Sequence, residues 1–278
     1  MTEICVKLCV FDAKLRVCAM PFAHNAVDSL RVYFEDDGGD GPPIVILNGL
    51  GDPIASSRRW GISKCLAAGY RIILVDHRGH GQSDKPHTPE AYTTPLRVAD
   101  VVAVLDALHI ERAHFIGASW GARLLFGVGE HARGRTRSLT MGGQTPFAMN
   151  RESQGVRMVT QAFASGSSMA DFLDALGGFG DVDAEVRSYT LANDFDALAA
   201  AWHAAMEEGA VTEDLVKWDV PCLIYAGSED LDFFEGAKRA AAEIPGARFV
   251  ALEGLSHLEA HENVEDILPH MKRFLEET

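Results

Sequence analysis

The 278 residues predict an α/β domain with a mostly parallel, doubly wound sheet flanked by helices. Three observations carry that expectation. The run at 44–47, Ile-Val-Ile-Leu, is apolar on both faces, as in strands covered on both sides. Stretches with helical apolar spacing stand between such runs, and alternating strand and helix implies parallel pairing with right-handed crossovers. A glycine-bracketed serine, Gly117-Ala118-Ser119-Trp120-Gly121, joins one apolar run to a helical stretch.

The elements follow in order. Residues 1–19 alternate weakly and form either an extra edge strand or an extension, because the chain begins afresh near Met20. Residues 30–35 alternate as a strand does, and 36–43, rich in Gly and Asp, form a turn. A buried strand at 44–47 ends in Asn48-Gly49-Leu50-Gly51-Asp52-Pro53, and another at 71–75 ends in Asp76-His77-Arg78-Gly79-His80-Gly81-Gln82-Ser83-Asp84. Residues 56–68 have room for a helix that Gly69 stops. Residues 95–108 carry helical spacing in Val98, Val101, Val102, Leu105 and Leu108, and the strand at 113–116 follows. After a short strand at 139–142 the rhythm breaks. Residues 149–207 hold helical patterns at 156–163, 169–176 and 195–206 and a Gly177-Gly178-Phe179-Gly180 link, which reads as a helical insertion over the strand ends. Strands at 222–226 and 248–252, with helices at 234–244 and about 261–275, complete the pattern. The expected division is a core of 20–148 and 208–278, a small helical cap of 149–207 after the sixth strand, and the extension 1–19.

Composition narrows the function. A formal net charge of −15 with no basic run disfavours nucleic acid and anionic membrane as partners. No apolar stretch approaches the ~20 residues of a membrane span. Lys7, Asp12, Lys14 and Arg16 interrupt any secretory core, so a cytoplasmic location is expected. The five cysteines are scattered, which argues against a disulfide framework, and Cys222 reads as a small buried hydrophobe.

Strand, G-x-S-x-G, helix is the pattern of a nucleophile elbow. Its turn is tight enough to strain the central residue, and side chains two positions away would strike neighbouring backbone, so glycine belongs at 117 and 121. Ser119 then stands at a helix N-terminus, where unpaired N–H groups favour negative charge. A serine hydroxyl still needs a base, and the base needs an orienting group. In a doubly wound sheet these partners are expected past later strands, in the order Ser, acid, His. Gly227-Ser228-Glu229-Asp230 follows one strand, and Glu253-Gly254-Leu255-Ser256-His257 follows the last.

With these residues in place the chain from Met20 onward resembles the α/β-hydrolase superfamily. The resemblance implies Ser119 as nucleophile, His257 as general base and acid, and Asp230 as the residue orienting His257, with Glu229 and Asp232 as rivals. Asn48-Gly49-Leu50-Gly51 matches the oxyanion-loop position with Asn48 where the family usually has His, and implies the backbone N–H groups of Leu50 and Trp120 as oxyanion donors. Asp76-x-Arg78-Gly79-x-Gly81-x-Ser83 matches a signature whose role is structural. The string Trp120-Gly121-Ala122-Arg123 is similar to haloalkane dehalogenases and epoxide hydrolases, which carry Asp at the position of Ser119. Their chemistry does not transfer. An alkylated carboxylate is an ester that water can cleave, whereas an alkylated Ser119 would be a dead-end ether.

Three further patterns have plainer readings. His257 and His261 lie four apart but lack a third ligand and the HExxH order, so no metal is expected. Gly127-Val128-Gly129 lacks the third glycine and the preceding strand of a dinucleotide site. Phe163, Met169, Phe172, Phe179, Trp202 and Met206 either line an acyl pocket or pack the insertion. The expectation is a cofactor-independent serine hydrolase acting on a small-molecule carboxylic ester or lactone through Ser119, His257 and Asp230. The alternatives on the same scaffold are C–C bond hydrolysis, perhydrolysis, and a non-enzymatic small-molecule receptor.

Overall fold

The computed structural model describes residues 21–175, 184–212 and 214–278. The extension at 1–19, the link at 177–180 with Phe179, and Cys5, Cys9 and Cys18 lie outside the described residues. The strands are β1 (Phe22–His24), β2 (Arg31–Gly38), β3 (Pro43–Leu47), β4 (Arg71–Val75), β5 (Ala113–Ala118), β6 (Thr136–Gly142), β7 (Cys222–Gly227) and β8 (Arg248–Leu252). They form one sheet in the order β1-β2-β4-β3-β5-β6-β7-β8. β2 is antiparallel to β1 and β4, and the pairs from β4 to β8 are parallel.

Alternation along each strand divides the core in two. Val45, Leu47, Ile73, Val75, Phe115, Ile224 and Ala226 face one cluster, which takes in α3 (Thr94–Ala107), α4 (Trp120–His131) and α9 (Phe234–Glu243). Ile44, Ile46, Ile72, Leu74, Leu223 and Tyr225 face the other, which takes in α1 (Ile54–Trp60), α2 (Ile62–Leu66) and α11 (Val264–Glu276). Both faces are covered, so the strands have no polar side to alternate. Burying each Val, Leu or Ile contributes about 1.5–3 kcal/mol.

The strand order also places the site. From β3 the chain moves to β4 on one side, then crosses back to β5 on the other. The crevice beyond β3 and β5 is a topological switch point, the usual ligand position in such sheets. The loop from Asn48 and the turn at Ser119 both open there.

Local departures from the expected elements have identifiable causes. The helix expected over 56–68 is two, because Gly61 takes a left-handed φ of 77° that ends α1 and caps α2. The turn expected from Asp36 starts later. Asp36 and Gly38 still pair with Ile73 and Ile72 across a bulge. The terminal helix is broken at Asn263, between α10 (Glu259–Glu262) and α11. Between β6 and β7 lie α5 (Gln154–Ser165), α6 (Met169–Ala175), α7 (Ala184–Leu191) and α8 (Phe195–Glu208), of which α7 was not among the expected helical patterns.

Candidate active site

Ser119 follows β5 and caps α4 with φ 47° and ψ −110°, a conformation that a side-chain-bearing residue holds only when its surroundings impose it. The surroundings are glycines. A Cβ on Gly117 would lie 2.7 Å from the Gly121 carbonyl carbon, and one on Gly121 would lie 2.3 Å from Leu47 O. Without those two Cβ atoms the helix start can drop onto the end of β3. Ser119 N–H donates to Gly142 O at 2.8 Å, which ties the turn to β6.

Asp230 and His257 arrive on neighbouring loops. Asp230 N–H donates to Gly227 O, and Asp230 Oδ1 accepts from Phe233 N–H at 3.1 Å, so one carboxyl oxygen is held by the turn before α9. The His257 loop packs directly on this turn because position 227 is glycine. A Cβ there would lie 2.1 Å from Leu255 O. Glu229 N–H donates to Leu255 O, and Ser228 Oγ accepts from Gly254 N–H. The second carboxyl oxygen of Asp230 lies 2.7 Å from His257 Nδ1. A carboxylate can only accept, so Nδ1 carries the proton. His257 Nε2 is then the acceptor facing Ser119 Oγ at 3.0 Å. The structure thus brings Ser119, His257 and Asp230 together. Of the rivals, Glu229 is exposed, and Asp232 accepts from Gly155 N–H at the start of α5.

Asp230 is 3% exposed and the His257 ring about a quarter exposed, so the pair is fixed on one side and open on the other. Phe233 lies against the His257 ring at 5.2 Å, and His261 meets it edge-on at 4.9 Å. His261 is buried, and burial, aided by His257, holds it well below the usual imidazole range. Gly143, with φ 58°, makes room for both rings. These three residues were not foreseen as neighbours of the site; only the four-residue spacing of the two histidines hinted at one.

Leu50 sits in a turn closed by Asp52 N–H to Gly49 O at 3.2 Å, with Gly51 left-handed at φ 80°. A Cβ on Gly49 would lie 3.8 Å from Ser119 Cβ, which puts this turn beside the serine. Asn48 holds the loop: its Nδ2 donates to Pro53 O, its Oδ1 accepts from Ser57 Oγ, and its carbonyl accepts from His77 Nε2. Asn193, following α7, donates to Gly51 O at 2.7 Å. Trp120 is buried under the Arg97 guanidinium, 4.2 Å from the ring centre. Burial lowers Arg97 to about 10.

The other singled-out residues serve packing. A Cβ on Gly127 would strike Thr94, and one on Gly129 would strike the Trp218 ring, so both glycines let α4 pack closely. Phe163 packs on Phe172 and Trp202 within the helical segment, and Trp202 Nε1 donates to Thr160 Oγ1. A groove of about 760 Å³ lined by Arg157, Phe163, Trp202 and His203 runs along α5 and α8, and none of Ser119, His257 or Asp230 borders it. Cys65 is exposed and Cys222 buried, both as free thiols. Among the described residues no helix is long and apolar enough to cross a membrane.

A haloalkane dehalogenase of Mycobacterium marinum is 30% identical over 263 residues, covering 85% of this chain and 88% of that protein. Epoxide hydrolase A of Mycobacterium tuberculosis is 37% identical over 95 residues, covering 34% of this chain. The match spans only 30% of that relative's length. The solved esterase RhEst1 from Rhodococcus sp. ECU1013 superposes with a TM-score of 0.77 at 24% identity, over 93% of this chain and 98% of that one, a likeness of fold. A family profile described as alpha/beta hydrolase fold matches residues 42–181, the stretch that carries the oxyanion-loop position, the serine elbow and the first helices after β6, and the chain belongs to that family.

Proposed function

We propose that this chain is a cofactor-independent serine hydrolase cleaving small or medium carboxylic esters, open-chain or cyclic, through an acyl-enzyme. The observation that carries the reading is the continuous contact Ser119 Oγ to His257 Nε2 and His257 Nδ1 to Asp230 Oδ2, at 3.0 and 2.7 Å. Each member does one thing. His257 Nε2 takes the proton as Ser119 Oγ attacks the acyl carbon. Asp230 holds the tautomer and stabilises the imidazolium that forms. The Leu50 and Trp120 amides receive the oxyanion, where loss of one donor costs ~10²–10³ in rate. His257 then protonates the leaving alcohol, and water activated by the same nitrogen releases the acid. The helices between β6 and β7 act as the cap that chooses the acyl group. An esterase among the structural neighbours is consistent with an ester substrate.

The test is Ser119→Ala. It should lower kcat on p-nitrophenyl butyrate by ~10⁴–10⁶ and abolish labelling by a fluorophosphonate, with the thermal midpoint unchanged. A loss of less than tenfold would move the nucleophile elsewhere, and stoichiometric labelling without turnover would favour a receptor.

A further inference from the structure

The turn beside the serine carries a carboxyl that the reaction above does not use. Asp52 closes the Gly49–Asp52 turn, and its side chain folds back over Gly49. A Cβ on Gly49 would lie 2.9 Å from Asp52 Oδ2 and 3.8 Å from Ser119 Cβ. The carboxyl oxygen thus packs over Gly49, on the side of that glycine that also meets the nucleophilic residue. Asp52 Oδ1 accepts from Ser56 Oγ at 3.1 Å, while Oδ2 has no donor among the described residues.

The surroundings sharpen the point. Among the described residues Glu262 on α10 and Tyr189 on α7 interact with the Asp52 carboxyl, and Arg59 on α1 lies beside Tyr189. Burial, with Glu262 adding to it against the Ser56 hydrogen bond, pushes the carboxyl up to about 6. An ionised carboxylate here opposes the oxyanion that forms on the acyl carbon. A donor brought by the substrate would neutralise that opposition and satisfy Oδ2 at once.

We propose that Asp52 is a specificity-determining residue: its free oxygen accepts a hydrogen bond from a hydroxyl, N–H or ammonium group near the scissile carbonyl, and it disfavours a carboxylate there. The proposal rests on Ser119 being the nucleophile.

Three esters with one leaving group test it: p-nitrophenyl butyrate, 3-hydroxybutyrate and hemisuccinate. On the unsubstituted protein at neutral pH, kcat/KM for the hydroxy ester should exceed that for butyrate, and the hemisuccinate should fall roughly tenfold or more below it. Asp52→Asn keeps the shape and removes the charge. The hemisuccinate-to-butyrate ratio should then rise by about tenfold and the hydroxy-to-butyrate ratio should drop. A uniform change across the three esters would overturn the proposal. So would equal turnover of hemisuccinate and butyrate by the unsubstituted protein, a comparison that stands even where Asp52→Asn does not fold. A different failure, no turnover of any ester and no fluorophosphonate labelling of Ser119, removes the nucleophile itself and Asp52's role with it.

Discussion

Two polar clusters lie at the same rim of the sheet and are built from the same residue types, yet only one is arranged for chemistry. The loop after β4 holds Asp76, His77, His80 and Ser83. Asp76 accepts from the Ile54 and Gln82 amides, Ser83 Oγ donates to Asp76 O, His77 bonds Asn48 O, and His80 bonds Arg78 O. Each of these side chains bonds backbone and is buried, with only His80 Nε2 among them left without a partner among the described residues. At the other cluster Ser119, His257 and Asp230 are matched to one another, and the outer side of the ring stays open. Side chains spent on backbone hold loops still. Side chains that face each other beside open space can pass a proton.

That contrast can be broken from either side. The largest effect is expected at Asp230. Asp230→Asn leaves the packing but favours the wrong His257 tautomer, so kcat should fall on the order of 10⁴-fold with little change in the urea midpoint. The opposite signature is expected beneath the β4 loop. Buried Arg78 pairs with Asp100 through two 2.7 Å hydrogen bonds. Asp100→Asn leaves the guanidinium paired only with the partly exposed Asp28 among the described residues and should cost up to about 3–5 kcal/mol in urea denaturation, with kcat falling only as far as the folded fraction does.

A smaller effect separates the clusters by pH. Burial pushes His80 down to about 4 and His77 well below its usual range. Both stay neutral in the native state while the unfolded chain takes up protons below ~6.5. The unfolded state therefore binds more protons between about 4 and 6.5. Stability is present above that window and falls as pH drops through it, by about 1.4 kcal/mol per pH unit per histidine. Urea midpoints at pH 7 and 5 should differ accordingly, and His80→Asn should flatten the slope. An unchanged slope would show that His80 does not stay neutral. The smallest effect belongs to the exposed pair Arg31 and Asp84, 2.8 Å apart. A double-mutant cycle there should give less than about 1 kcal/mol.

The order of strands and helices was legible because parallel strands covered on both faces leave unbroken apolar runs, as at 44–47 and 71–75. The elbow was legible because its turn admits glycine alone at 117 and 121, and the loops after β7 and β8 because their acid and histidine occupy the expected order. What could not be read was anything that depends on approach from far along the chain. Gly143 making room for two rings and Phe233 against His257 carry no periodic signal.

Residue types and spacing alone decided the fold class, the serine at the strand-to-helix turn, and a short choice of acids for the third position. Among those acids the resemblance already implies Asp230 ahead of Glu229 and Asp232; tertiary structure adds the packing of the Leu255 loop on Gly227 that sets Asp230 behind the imidazole. Tertiary structure also decided that Asp52 stands near Ser119, 67 residues away, and that His257 bonds Ser119 across 138 residues, because such neighbours are set by the sheet and not by the local chain.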